Sequence, residues 1–181
     1  MRLVILDRDG VINYESDTYI KSPEEWLPIP GSLEAIARLH RAGFTVVVAT
    51  NQAGVGRGLF NLAALDAIHN RMLAAVEASS GKLAGIFYCP HAPGNHCDCR
   101  KPKPGLLRQI EKQFGITLEG IPAIGDSLRD VEAAQAVGAR AILLRTGNGE
   151  QTLQSLGSLE NIEIFTDLAA AANQLIKELN P

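Results

Sequence analysis

Four short segments of this chain combine acidic, hydroxyl, amide and basic side chains in a pattern suited to a phosphate ester. Asp7-Arg8-Asp9-Gly10 sets two carboxylates two residues apart. In extended backbone, side chains two apart point to the same side, so both could address one ligand. Two anions aimed at one site repel unless a cation intervenes, and magnesium is the natural partner for such oxygens. Asp7 is then a candidate nucleophile that takes up the phosphoryl group. Asp9 is a candidate acid that protonates the leaving alcohol and afterwards deprotonates water. Gly10 lets the chain turn away without putting a side chain in the pocket. Taken alone, an Asp-x-Asp-Gly is equally a solvated turn.

The second segment, Thr50-Asn51-Gln52, leads into the glycine-rich stretch 53–58. Its hydroxyl and amide donors suit phosphoryl oxygens, although Thr-Asn also opens turns and caps helices. Thr50 is a catalytic candidate, with Asn51 and Gln52 as candidate substrate contacts. The third segment, Arg100-Lys101-Pro102-Lys103-Pro104-Gly105, sets three cations ahead of a helix whose dipole they oppose. An anionic ligand would relieve that conflict. Lys101 could neutralise nucleophile and phosphate, and Arg100 could grip a second phosphate or a carboxylate in a bidentate fork. In the fourth, Gly125-Asp126-Ser127-Leu128-Arg129-Asp130, Asp126 is the candidate second magnesium ligand and Asp130 a hydrogen-bonding support or a helix-side acid near it. Asp126 or Ser127 could equally cap the helix that follows.

The three cysteines of the chain, Cys89, Cys97 and Cys99, fall in one window with His91, spaced C-x-H-x5-C-x-C. A disulfide there would leave one thiol over and staple nothing distant. Four such ligands suit a closed, tetrahedral structural zinc site. His91 is the preferred imidazole, because His96 adjoins Cys97 and joint chelation would be awkward. Zinc would shape the proline-rich loop 89–103 and, through Cys99, aim Arg100 and Lys101.

These residues need elements to position them. Apolar, β-branched runs at Leu3–Leu6, Phe44–Ala49, Leu83–Tyr88, Ile121–Ile124, Arg140–Leu144 and Ile162–Phe165 read as strands. They alternate with segments of helical period at Ser32–Ala42, Leu62–Ala78, Pro104–Phe114, Leu128–Val137 and Asp167–Leu179. Gly43, Gly115 and Gly138 are candidate helix stops. The alternation predicts a three-layer, Rossmann-like α/β domain with a parallel sheet, spanning 1–181 as one unit without a separate cap domain. Each chemical segment then sits at the carboxyl end of a strand, the edge where open α/β sheets bind ligands. The long loops Asn13–Pro30 and Cys89–Pro104 leave from the same edge and should wall the pocket.

Composition agrees with one buried core: 181 residues, 46% of them hydrophobic, with a net charge of −3. No broad basic field is available to hold nucleic acid. No apolar run approaches the roughly 20 residues that span a bilayer, and no signal peptide is apparent. A cytoplasmic monomer without nucleic-acid or membrane partners is expected.

In order and context, Asp7-x-Asp9, Thr50, Lys101 and Gly125-Asp126 resemble the four motifs of the haloacid dehalogenase superfamily over about the whole chain. The resemblance implies Asp7 as nucleophile and Asp9 as general acid and base with its backbone carbonyl on magnesium. It implies Thr50 and Lys101 as phosphate ligands and Asp126 as a metal ligand. At finer grain, Asp-Arg-Asp-Gly-Val-Ile-Asn at 7–13, Thr-Asn-Gln-x-Gly-x-x-Arg-Gly at 50–58, the cysteine–histidine loop and Cys-Arg-Lys-Pro at 99–102 are similar to the heptose bisphosphate phosphatase subfamily. That implies hydrolysis of the 7-phosphate of D-glycero-D-manno-heptose 1,7-bisphosphate through an aspartyl phosphate, on the route to ADP- or GDP-heptose for lipopolysaccharide or S-layer glycans. Arg100 would contact the substrate. Histidinol phosphate, the substrate of a related subfamily, or another small phosphate ester is the alternative. The chain departs in two places: the spacer between His91 and Cys97 is shorter than in some members, and Ser127 stands where some carry lysine. A phosphate-binding module without turnover would lack Asp7 or Asp9, and both are present. A phosphotransferase would share the aspartyl phosphate and differ only in the acceptor.

Overall fold

The protein is described from a computed structural model at residues 1–155 and 162–179. Six strands form one sheet: β1 (Arg2–Leu6), β2 (Phe44–Asn51), β3 (Gly85–Cys89), β4 (Pro122–Gly125), β5 (Arg140–Leu144) and β6 (Glu163–Phe165). Their spatial order is β3-β2-β1-β4-β5-β6, and every pairing is parallel. Helices α1 (Ser32–Arg41), α2 (Ala53–Gly56), α3 (Leu62–Ala78), α4 (Gly105–Phe114), α5 (Leu128–Gln135), α6 (Gly149–Ser155) and α7 (Leu168–Lys177) connect them.

β1 explains why the sheet is apolar on both faces. Val4 and Leu6 join one core with Ile36 and Leu39 of α1, Ile68 and Met72 of α3 and Leu175 of α7. Leu3 and Ile5 point the other way, onto Leu106 and Ile110 of α4 and Val131 of α5. The period-2 strand geometry therefore feeds two helical layers from one continuous apolar run. Burying each such side chain is worth about 1.5–3 kcal/mol. Gly115 ends α4 with φ 64, as its position in the sequence predicts.

The boundaries differ in instructive ways. β2 runs past Ala49 because Thr50 and Asn51 pair with Tyr88 and Cys89 of β3. Polar residues at a strand's end carry no apolar signature, so only the pairing reveals them. α2 and α6 are too short for a helical period to register. The loop 13–30 is pinned by Trp26, 1% exposed, and by an antiparallel bridge between Asn13 and Pro28. Among the described residues, the excursions after β1 and β3 carry only the 3₁₀ turn Pro23–Glu25, and no helix is long and apolar enough to cross a membrane.

The strand order makes β1 the switch point, with β2 on one side and β4 on the other. The crevice at the carboxyl ends of β1 and β4 is where a doubly wound sheet binds its ligand. There the chain sets Asp7 and Asp126.

Candidate active site

Asp7 continues the sheet beyond β1, its N–H donating to Ile124 O at 2.9 Å. Its carboxylate meets those of Asp126 and Asp130, and one oxygen of each lies within 4.8 Å of the others. Lys101 enters this cluster from the third segment, its Nζ 3.1 Å from Asp7 Oδ2, 2.5 Å from Asp130 Oδ1 and 2.8 Å from Ala49 O. The cation that the sequence leaves facing an external anion is thus already paired inside the protein. Helix phase brings Asp130 one turn into α5, beneath the lysine.

The electrostatics follow from that crowding. Burial pushes the Asp7 carboxyl well above the usual carboxylate range, with Lys101 opposing. Burial and then Asp130 push Asp126 up to about 7. Burial alone would lower the Lys101 ammonium, but Asp130 and Asp7 together lift it. Asp130 stays low despite its burial because Lys101 and Ser127 hold its charged form. One oxygen of Asp130 is occupied by Lys101, while the other accepts from Ser127 N at 3.0 Å and Ser127 Oγ at 2.5 Å, closing a capping box at the start of α5. Among the described residues, Asp7 Oδ1 accepts only from the backbone N of Arg8, at 2.7 Å, and Asp126 Oδ1 has no hydrogen-bond donor. Two hard carboxylates beside a single lysine fit magnesium, which is typically bound by one or two carboxylates together with substrate phosphate.

Asp126 is pressed against backbone. A Cβ at Gly10, where φ is +78, would fall 2.0 Å from Asp126 Oδ2, and one at Gly147 would fall 2.2 Å from it. Asn148 then donates to the same oxygen from its backbone N at 2.8 Å and its side-chain Nδ2 at 3.2 Å.

The Asp9 carboxylate lines the same cavity but stands outside the acidic cluster. Arg8, Asn13 and Gln52 surround it. Gln52 Nε2 donates to Asp9 Oδ2 at 2.9 Å and to Thr50 Oγ1 at 3.0 Å, tying the first segment to the second. Asn51 pairs with both backbone groups of Lys101: its Nδ2 donates to Lys101 O at 3.0 Å, and its Oδ1 accepts from Lys101 N at 3.0 Å. Both amides border the cavity, yet their amide nitrogens are engaged within the protein, which gives them a bracing part beside any substrate contact. Thr50 is 1% exposed and sits just beneath that surface.

The cavity measures about 240 Å³ and is bounded by the two expected loops. Glu15, Ser16, Asp17 and Tyr19 come from one, and Arg100 with Lys101 from the other. Arg129 and Asn148 also line it, and nothing in their local sequence marks them. Arg129 sits one residue before Asp130 on α5, a position that reads as a solvated helix face. Arg100 and Arg129 are close enough that, after burial, Arg129 is the next cause lowering the Arg100 guanidinium. Burial, then Asp9, raises Glu15 on the facing wall.

The cysteine–histidine loop assembles as its spacing predicts. Cys89, His91, Cys97 and Cys99 each offer one ligand atom, all within 4.8 Å of one another. His91 Nδ1 lies 3.4 Å from Cys89 Sγ and 3.2 Å from Cys99 Sγ, and His96 is not in the group. Burial and the neighbouring Cys89 push the Cys99 thiol up to about 12. Thiols packed this closely call for a cation if they are to ionise, and three sulfurs with one imidazole match a tetrahedral zinc set. Arg100 Nη1 donates back to His91 O at 3.4 Å, linking this loop to the cavity.

A HAD-hydrolase-like family model matches residues 98–171, and a polynucleotide kinase 3 phosphatase model matches residues 3–126. The chain is 57% identical to the D-glycero-beta-D-manno-heptose-1,7-bisphosphate 7-phosphatase of Pseudomonas putida, over 97% of this chain and 100% of that one. It is 37% identical to the enzyme of the same name from Escherichia coli K12, over 80% of this chain and 79% of that one. The crystal structure of D,D-heptose 1,7-bisphosphate phosphatase from B. bronchiseptica, complexed with magnesium and phosphate, superposes with a TM-score of 0.96 at 52% identity, covering 98% of this chain and 99% of that one. With its acidic cluster at the β1–β4 crevice, its buried lysine and its cysteine–histidine loop, the chain belongs to the haloacid dehalogenase-type phosphatases, in the family of the D-glycero-β-D-manno-heptose-1,7-bisphosphate 7-phosphatases.

Proposed function

We propose that this chain hydrolyses the 7-phosphate of D-glycero-D-manno-heptose 1,7-bisphosphate and keeps the 1-phosphate. The carrying observation is that one cavity joins two places for an anion. At its floor are Asp7, Lys101 and Asp126; at its rim, Arg100 and Arg129 make no ion pair among the described residues. Two guanidiniums that repel each other across solvent are suited to a second phosphate.

In this reading an Asp7 oxygen attacks phosphorus, the bond from phosphorus to the sugar oxygen breaks, and Asp9 gives that oxygen a proton. Water then attacks the aspartyl phosphate, Asp9 takes its proton, and the bond from Asp7 to phosphorus breaks to release phosphate. Lys101 offsets the charge on Asp7 and on the phosphoryl oxygens, to which the Thr50 hydroxyl would also donate. Asp7, Asp126 and the Asp9 carbonyl would hold magnesium, which supplies further neutralisation of phosphoryl charge when bound. Cys89, His91, Cys97 and Cys99 would hold a structural zinc that sets the course of Arg100 and Lys101. A reduced thiol set suits the cytoplasm.

Steady-state kinetics test the assignment. kcat/KM for the heptose bisphosphate should exceed that for histidinol phosphate by well over about tenfold, the ratio that 1.4 kcal/mol supplies. Arg100→Ala and Arg129→Ala should each slow the bisphosphate more than p-nitrophenyl phosphate. A preference for histidinol phosphate, or equal slowing of both esters, would overturn the substrate while sparing the phosphatase chemistry.

A further inference from the structure

Arg8 stands between the two aspartates of the first motif, and its side chain is 0% exposed. Taking a guanidinium out of water is costly unless its partners repay the loss of hydration. Among the described residues, every hydrogen bond its side chain makes goes to one group. Nε donates to Asp9 Oδ1 at 3.2 Å, and Nη2 donates to Oδ1 at 3.0 Å and to Oδ2 at 3.2 Å, while Nη1 finds no partner among the described residues. The fold thus buries a charged fork whose sole polar task is to hold the neighbouring carboxylate.

The base of the fork is itself anchored. Arg8 O accepts from the N–H groups of Val11, Ile12 and Asn13 at 3.3, 2.8 and 3.2 Å, and Arg8 N donates to Asp7 Oδ1 at 2.7 Å. Asn13 Nδ2 braces Asp9 Oδ1 at 2.9 Å and Gln52 Nε2 braces Oδ2 at 2.9 Å. Both oxygens of Asp9 are therefore oriented, and the planar guanidinium is the only one of these groups that bridges them. A lysine ammonium is a point charge on a flexible stem and cannot reproduce that fork.

We propose that Arg8 is the positioning residue for Asp9: its guanidinium sets where the Asp9 carboxylate meets the leaving oxygen. The inference rests on Asp9 acting as acid and base. A proton carrier must come within hydrogen-bond reach of the atom it serves, and small displacements cost rate steeply.

The test separates proton delivery from every other contribution. kcat/KM reports only the steps up to release of the alcohol. An alkyl phosphate needs a proton on its departing oxygen, whereas 2,4-dinitrophenyl phosphate leaves without one. Arg8→Lys and Arg8→Met, checked by circular dichroism and by magnesium binding, should lose about a hundredfold on the alkyl ester and under about tenfold on the aryl ester. Asp9→Asn, run alongside, should show the same selectivity. If Asp9→Asn is selective and neither Arg8 variant is, the positioning role is overturned and Asp9 keeps its own. If Asp9→Asn slows both esters equally, the acid assignment falls and takes this inference with it. Failure of both Arg8 variants to fold would assign Arg8 to the fold alone and overturn the proposal.

Discussion

Replacing Lys101 with methionine keeps the unbranched side chain but removes the ammonium from the centre of the acidic cluster. That ammonium lies 2.5 Å from Asp130 and 3.1 Å from Asp7, on a residue only 4% exposed. Removing one partner of a buried ion pair costs about 3–5 kcal/mol, because the other charge stays buried and uncompensated. That is a large share of the roughly 5–15 kcal/mol that holds a domain folded. At roughly 2–4 °C per kcal/mol for a chain of this size, the melting temperature in chelator should fall by about 6–20 °C. Magnesium should restore part of this. A divalent ion held by Asp7 and Asp126 would offset the orphaned charge, so the magnesium-induced rise in melting temperature should be larger in Lys101→Met than in wild type. Turnover should still fall by about 10²–10⁴-fold with magnesium present, the rate equivalent of the same 3–5 kcal/mol at the transferring phosphoryl group. Scanning fluorimetry with and without chelator, alongside steady-state kinetics, reads all three effects. A variant that melts within about 2 °C of wild type in chelator, or that magnesium stabilises no more than wild type, would refute the charge balance derived for this cluster.

Metal analysis of the purified chain should find about one zinc per molecule, and Cys97→Ser should lower that occupancy and reduce activity by loosening Arg100 and Lys101; zinc-free protein of full stability and activity would discard the site. His69 on α3 should make stability depend on acidity. It is 6% exposed, and burial, with the Arg8 guanidinium adding to it, pushes its imidazole down from 6.5 to about 4. Between those values the unfolded chain binds the extra proton, so the stability present above about pH 6.5 is lost as the pH falls toward 4, by up to about 3 kcal/mol. Urea denaturation across that range should show the loss in wild type and a flatter profile in His69→Gln; identical profiles would rule out a buried neutral imidazole.

Much of this protein is written locally. An apolar run that feeds two helical layers must be a buried strand, and the residue at which it turns polar must leave the sheet's edge. Asp7, Thr50, Lys101 and Asp126 are therefore legible as one edge before any coordinates exist, and the cysteine–histidine spacing is legible because loop ligands for one ion must be near in sequence. The Ser127–Asp130 capping box is equally local, a serine and an acid three residues apart at a helix start.

Tertiary structure decided what these residues do to one another. Asp130 reads by sequence as a support beside Asp126; only the packing of α5 against the third segment brings Lys101 to its second oxygen. Asn51 and Gln52 read as donors for a substrate, yet their amides reach partners 50 and 43 residues away. Arg8 and Arg129 differ in neither type nor neighbourhood from ordinary loop and helix arginines, and one is buried against Asp9 while the other faces the cavity. The physical reason is range. Strand ends, caps and loop chelates are set by backbone periodicity over a few residues, whereas the direction and pairing of a long polar side chain depend on which distant element the folded core sets beside it.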